Sequence, residues 1–127
     1  MYPINRYNML KRNIKECEEI VAGDNCILRE LLGSKDGIAG YSLAKATVKP
    51  GDITYKHKLR KSSEVYFILE GKGLMFMDDE RGEVVSGDII YIPPNSVQRI
   101  KNTGNENLVF LCIVEPAWHP EDEEVLE

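Results

Sequence analysis

An all-β barrel or sandwich is the fold class this sequence predicts, and three observations predict it. Short runs rich in β-branched and aromatic residues, such as 64–69 and 108–115, recur along the chain. Turn signals punctuate them at close intervals, among them Pro50-Gly51-Asp52, Gly71-Lys72-Gly73 and Pro93-Pro94-Asn95. Two of the runs, 65–69 and 108–114, are apolar on both faces, so one face must fill an interior and the other must be covered by something else.

The elements follow in order. Residues 13–20 offer a short helical turn or an irregular arm. Residues 26–32 read as a first strand, closed by turn residues 33–37. Residues 38–49 form the next, with Ser42, Ala44, Ala46 and Val48 on one face and Tyr41, Leu43, Lys45 and Thr47 on the other. After the turn at 50–52 come a strand at 53–59, a loop at 60–63 and a strand at 64–69. Residues 74–77 continue, 78–82 make a hairpin turn, and 84–85, 88–92, 97–102 and 108–115 complete the series. One domain is expected over 1–127, with a barrel core at about 38–115, an N-terminal arm at 1–25 and an acidic C-terminal tail at 116–127.

Composition narrows the function classes. The net charge of −5 argues against nonspecific nucleic-acid binding, which needs a basic face. No apolar run approaches the roughly 20 residues of a membrane span. Residues 1–13 carry no secretory signal pattern. Cys17, Cys26 and Cys112 are odd in number and widely spaced, so neither a disulfide framework nor a zinc knuckle is expected, and the cytoplasm is the simplest location. Cys112 lies in an apolar strand and reads as an inert core thiol. No nucleophile elbow, phosphate loop or HExxH helix is present.

Two spaced motifs remain. The first runs Gly51, His57, Leu59, Glu64, Gly71; the second runs Gly87, Pro93, Asn95, Gln98, Asn102. Both spacings resemble the paired signatures of the cupin superfamily over roughly residues 38–114. The resemblance implies a jelly-roll barrel, the double-stranded β-helix, in which four side chains converge inside and bind a divalent metal. Those slots here hold His57, Leu59, Glu64 and Gln98, so two positions that are normally His are Leu and Gln. Imidazole and carboxylate suit Mn, Fe, Ni or Zn, an amide oxygen is a weak ligand, and Leu59 cannot ligate. Two arrangements stay open: a weak metal site made by His57, Glu64 and Gln98, or a metal-free pocket in which the same three hydrogen-bond one another.

Strand parity adds pocket candidates. Tyr55 precedes His57 by two, Tyr66 and Ile68 share the face of Glu64, and Ile100 shares that of Gln98; Leu59 joins them as an apolar wall, and either Met75 or Phe76 is expected to line the cavity. Arg60 and Lys61 fall near the mouth, where they would draw in an anion or simply stay solvated. The reading is a cytoplasmic homodimer that binds a small molecule in its barrel, with no nucleic-acid or membrane partner. The alternative implied by the resemblance is a metal-dependent enzyme of the sugar-phosphate isomerase, dioxygenase or lyase kind, or one in which Glu64 acts as a general base once burial has raised its pKa.

Overall fold

Alternation along each strand sorts the side chains into an inner and an outer set, and the inner set closes two sheets on one another. The computed structural model describes residues 9–127, so the first part of the expected N-terminal arm lies outside the described residues. Among the described residues eleven strands are present: β1 Glu19–Val21, β2 Ile27–Leu32, β3 Ser42–Val48, β4 His57–Leu59, β5 Ser63–Glu70, β6 Lys72–Met77, β7 Glu80–Val85, β8 Ile89–Ile92, β9 Gln98–Asn102, β10 Leu108–Glu115 and β11 Glu123–Val125. They form a six-stranded sheet in the order β1-β2-β3-β10-β5-β8 and a five-stranded sheet in the order β11-β4-β9-β6-β7. Every pairing is antiparallel. This is the jelly-roll barrel.

The core sits between the sheets. Ala46 and Val48 from β3, Tyr66 and Ile68 from β5, Met75 from β6, Ile92 from β8, Ile100 from β9, and Leu108, Phe110 and Cys112 from β10 are all buried in one cluster. Burying each large aliphatic or aromatic side chain of this set contributes about 1.5–3 kcal/mol. Tyr66 and Phe110 stack with ring centroids 4.4 Å apart. Asn102 is buried among these groups with its amide fully used: Nδ2 donates to the carbonyls of Val48 and Glu106, and Oδ1 accepts from the Gly104 amide. That one side chain ties the ends of β3 and β9 to the turn before β10.

Several elements differ from the sequence expectation. The strand expected at 53–59 is short, covering only His57–Leu59, because the chain at 50–56 runs as a loop held by single bonds. Ile53 makes an isolated bridge to Lys101, the Thr54 amide donates to the Ile100 carbonyl, and the Tyr55 amide donates to the Asp24 carbonyl. The hairpin between β6 and β7 is tighter than expected: β7 begins at Glu80, and Asp78 takes a positive φ of 53° to make the turn. Residues 19–21 form an edge strand on β2, and residues 123–125 form a strand on β4. Both segments lack a long alternating pattern and take their conformation from the strand they pair with.

Gly71 shows how closely the turns are built. Its φ is +86°, and a Cβ there would stand 2.6 Å from the Asn107 carbonyl oxygen, whereas a Cβ on Gly82 would meet nothing within 4 Å. Gly71→Ala is therefore expected to cost about 2 kcal/mol or more, and Gly82→Ala to be close to neutral, by urea denaturation of the two variants.

Candidate functional site

β4, β5 and β9 deliver the inward side chains of the site. His57 of β4 stands directly opposite Gln98 of β9 in the ladder, and directly opposite residues bring their Cβ atoms to about 5 Å. Glu64 and Tyr66 project from β5 in the other sheet. All four are buried: His57 4% exposed, Glu64 9%, Tyr66 2% and Gln98 1%. Gln98 bridges the two sheets. Its Nε2 donates to Glu64 Oε1 at 3.0 Å, and its Oε1 accepts the Tyr66 hydroxyl at 2.7 Å.

His57 is held separately. Its Nδ1 lies 2.8 Å from the Tyr55 carbonyl oxygen. A carbonyl only accepts, so Nδ1 carries the hydrogen and, in the neutral ring, Nε2 is a bare acceptor. Nε2 faces Asp24 Oδ2 at 3.6 Å, too far for a direct hydrogen bond. Asp24 reaches this position from the β1–β2 hairpin loop, where its Oδ1 accepts the Cys26 amide and the following Asn25 takes a φ of 75°.

Beside these groups lies a cavity of about 320 Å³. Its wall is mostly apolar, including Leu28, Ala44, Ala46, Leu59, Phe110 and Val114, with Cys26, Cys112, Tyr66 and Trp118. The polar groups in the wall include Asp24, Glu30, His57, Glu64 and Glu123. Glu123 arrives on β11, paired opposite Leu59, so a carboxylate from the neighbouring strand stands beside the position where the sequence carries no ligand. Glu123 Oε1 accepts the Trp118 indole N–H at 2.9 Å.

Burial sets the protonation of these groups. It raises the Glu64 carboxyl from its ordinary 4.5 to about 7; His57 and the Gln98 hydrogen bond pull it down, and Asp24 and Glu123 push it up. Burial raises the Tyr66 hydroxyl and the Cys112 thiol, with the Glu64 charge adding to both. The Cys26 thiol is raised too, by burial first and then by Asp24. All three stay neutral, which leaves a buried carboxyl poised near neutral pH beside the His57 ring. That pairing can receive hydrogen bonds and can accept or return a proton.

The sequence candidates fall into three groups. His57, Glu64, Tyr66 and Gln98 come to one place, with Leu59 in the cavity wall. Ile68 and Ile100 point inward but are fully buried in the core behind the site and do not line the cavity. Met75 packs in the same core, so neither it nor Phe76 faces the cavity. Tyr55 does not point inward: it is 41% exposed, because the loop at 50–56 breaks the parity that a continuous strand would impose. Arg60 is not turned to the mouth either; its guanidinium is committed to the Glu121 carbonyl and to Glu124.

Of the three expected metal donors, Gln98 is not free to ligate. The Gln98 oxygen is taken by Tyr66, and its amide N–H points at Glu64. Glu64 and Gln98 are joined by a hydrogen bond, and His57 stands apart from both, tied to the Tyr55 carbonyl. Among the described residues no group of three or more His, Cys, Asp or Glu side chains is arranged to hold a metal. Sequence reasoning missed Asp24, Glu123 and Trp118. The signals were weak: an Asp-Asn turn ahead of residue 26, and a Trp-His-Pro stretch followed by the Glu123/Val125 alternation.

The cupin domain model matches residues 44–114, more than half of the chain. The chain belongs to the cupin family. An uncharacterized protein from Methanocaldococcus jannaschii is 42% identical over 121 residues, covering 94% of this chain and 96% of that one. A glucose-6-phosphate isomerase from Pyrococcus abyssi is 28% identical over 114 residues, covering 78% of this chain; the chain spans 60% of that isomerase's length. Among solved structures, the Streptomyces nucleoside dehydratase Pac13 superposes with a TM-score of 0.78 over 94% of this cupin and 92% of the dehydratase. Their identity is 18%, so that likeness concerns the fold alone.

The raised Glu64 carboxyl has a measurable consequence. It holds its proton more tightly folded than unfolded, so the folded cupin binds more protons between about pH 4.5 and 7 and loses stability as pH rises through that window. Glu64→Gln should remove roughly 3 kcal/mol of pH-dependent stability across the window. Denaturant midpoints of the two proteins should approach each other at the acid end, with the variant more stable at the alkaline end.

Proposed function

We propose that this cupin binds a small organic molecule in its barrel cavity, without a resident metal. The observation that carries the reading is the cavity itself. About 320 Å³ of mostly apolar space, with His57, Asp24 and Glu64 converging on it, has the composition of a ligand site. A screen of small fragments by ligand-observed NMR tests it. Fragments should bind the native protein and be lost from Ala44→Leu, which fills the cavity; fragments indifferent to the filling would sink the reading. Elemental analysis tests the metal-free part. After incubation with Mn, Fe, Ni and Zn salts and dialysis, the protein should retain far less than one equivalent, because the Gln98 amide is committed to Tyr66 and Glu64.

One observation favours a second reading, an enzyme that moves a proton. Glu64 titrates at about 7 close to His57, and a general base works best with its pKa near the operating pH. In such an enzyme Glu64→Gln would leave binding in place and remove turnover.

The partner reading is a homodimer formed through the outer face of the six-stranded sheet. Cross-strand register sets Leu43, Ile113, Val65 and Tyr91 in one row, and Lys45, Leu111, Phe67 and Ile89 in the next. Ile89 is 70% exposed and Tyr91 59%, both on β8 at the edge of its sheet. Across β3, β10, β5 and β8 these rows carry no acidic side chain, so a second copy related by a two-fold axis and seated on that part of the sheet meets the same surface without opposing carboxylates. Light scattering should give the mass of a dimer, and Ile89→Lys with Tyr91→Lys should give a monomer. The three free cysteines, Cys17, Cys26 and Cys112, suit a reducing compartment such as the cytoplasm.

A further inference from the structure

We propose that the ligand of this cavity is an organic amine, its ammonium seated among Asp24, His57, Glu64 and Glu123 and its apolar body held by the aromatic and aliphatic wall. The proposal rests on the small-molecule reading above and names the chemical class that the site accepts.

Charge is the first argument. The lining includes Asp24, Glu30, Glu64 and Glu123 and no Lys or Arg. Glu30 is neutralised by Lys35 at 2.9 Å. Among the described residues no Lys or Arg pairs with Asp24, Glu64 or Glu123; the one cation-capable neighbour is His57, which lies 3.6 Å from Asp24 and lowers the Glu64 pKa when charged. Carboxylates held in a largely apolar wall are costly until a cation joins them. An ammonium supplies it. A phosphate or carboxylate ligand would add to the repulsion.

Hydrogen-bond polarity is the second argument and is independent of net charge. The His57 side chain is 5% exposed, and its Nε2 makes no hydrogen bond among the described residues. With Nδ1 donating to the Tyr55 carbonyl, Nε2 can only accept in the neutral ring. Asp24 Oδ2 and His57 Nε2 thus present acceptors to the same space, joined by the Glu64 carboxyl when it is ionised, and a primary ammonium brings three N–H donors. The wall also holds Trp118, Tyr66 and Phe110, and aromatic rings attract ammonium groups. The contrast with the Pyrococcus relative is direct. A sugar phosphate is an anion, and the wall of this cavity has no Lys or Arg to receive a phosphate.

Three probes of matched shape separate charge from size: 2-phenylethylamine, 2-phenylethanol and phenylacetate, measured against the full chain by calorimetry near neutral pH, with toluene as an uncharged apolar control. The amine should bind at least about tenfold tighter than the alcohol, and phenylacetate should bind weakest. Asp24→Asn and Glu123→Gln, tested separately, should each weaken the amine by about tenfold and leave the alcohol unchanged. Phenylacetate or the alcohol binding as tightly as the amine would overturn the proposal. So would toluene entering while the amine does not, or variants that weaken amine and alcohol equally. Each of those results leaves the cavity reading intact. Exclusion of all four probes, toluene included, would overturn both.

Discussion

Everything in the interior is arranged around one chain of hydrogen bonds, from the Tyr66 hydroxyl through the Gln98 amide to the Glu64 carboxyl. Tyr66 and Glu64 belong to one sheet and Gln98 to the other, so this polar chain fastens the two sheets across the barrel at the level of the cavity. A buried amide has both donors and an acceptor to satisfy, and leaving one unmade costs about 1–3 kcal/mol. That requirement fixes the rotamer of Gln98, and through it the height at which the Glu64 carboxyl sits. It also explains why the carboxyl is tolerated at all. One oxygen accepts from Gln98, and with its pKa raised to about 7 the carboxyl carries a proton part of the time near neutral pH.

The cavity divides into a floor and a mouth with different origins. The floor belongs to the regular barrel: β3, β5 and β10 supply its apolar wall and the stacked Tyr66 and Phe110. The mouth is built from the two ends of the described chain. The hairpin loop after β1 supplies Asp24, and the segment leading into β11 supplies Trp118 and Glu123. The two meet: a Cβ on Gly23 would stand 2.7 Å from Glu123 Oε2, so the loop backbone lies directly against that carboxylate. Further bonds hold the C-terminal segment down, with the Lys56 amide donating to Glu127 and the Leu126 amide donating to the Lys56 carbonyl.

This division is also the boundary of what the sequence made legible. The barrel could be read because its strands alternate over six to eight residues and end at glycines whose positive φ values are real, at Gly51, Gly71 and Gly87. Convergence of His57, Glu64, Tyr66 and Gln98 follows from the same alternation, since each lies on the inward parity of a true strand. Tyr55 fails because parity carries no information across a loop, and residues 50–56 are a loop held by side bonds. Asp24 and Glu123 could not be read because their segments are three-residue strands or turns with no periodicity of their own. Their conformation is imposed by a partner strand far away in sequence. Gln98 shows the remaining gap. Its position was readable, but the direction of its amide depends on which partners surround it, and here the oxygen meets Tyr66 and the N–H meets Glu64.

The family match covers residues 44–114, whereas Asp24, Trp118 and Glu123 all fall outside it. The barrel and the selectivity of its opening can therefore diverge on separate schedules. On the proposed reading, a change in the hairpin loop or the final strand would alter which molecules are admitted and leave the packed interior untouched. For an engineer, the two flanking segments form a graftable pair: transplanted together onto another barrel of this kind, they would carry the chemical preference of the opening with them.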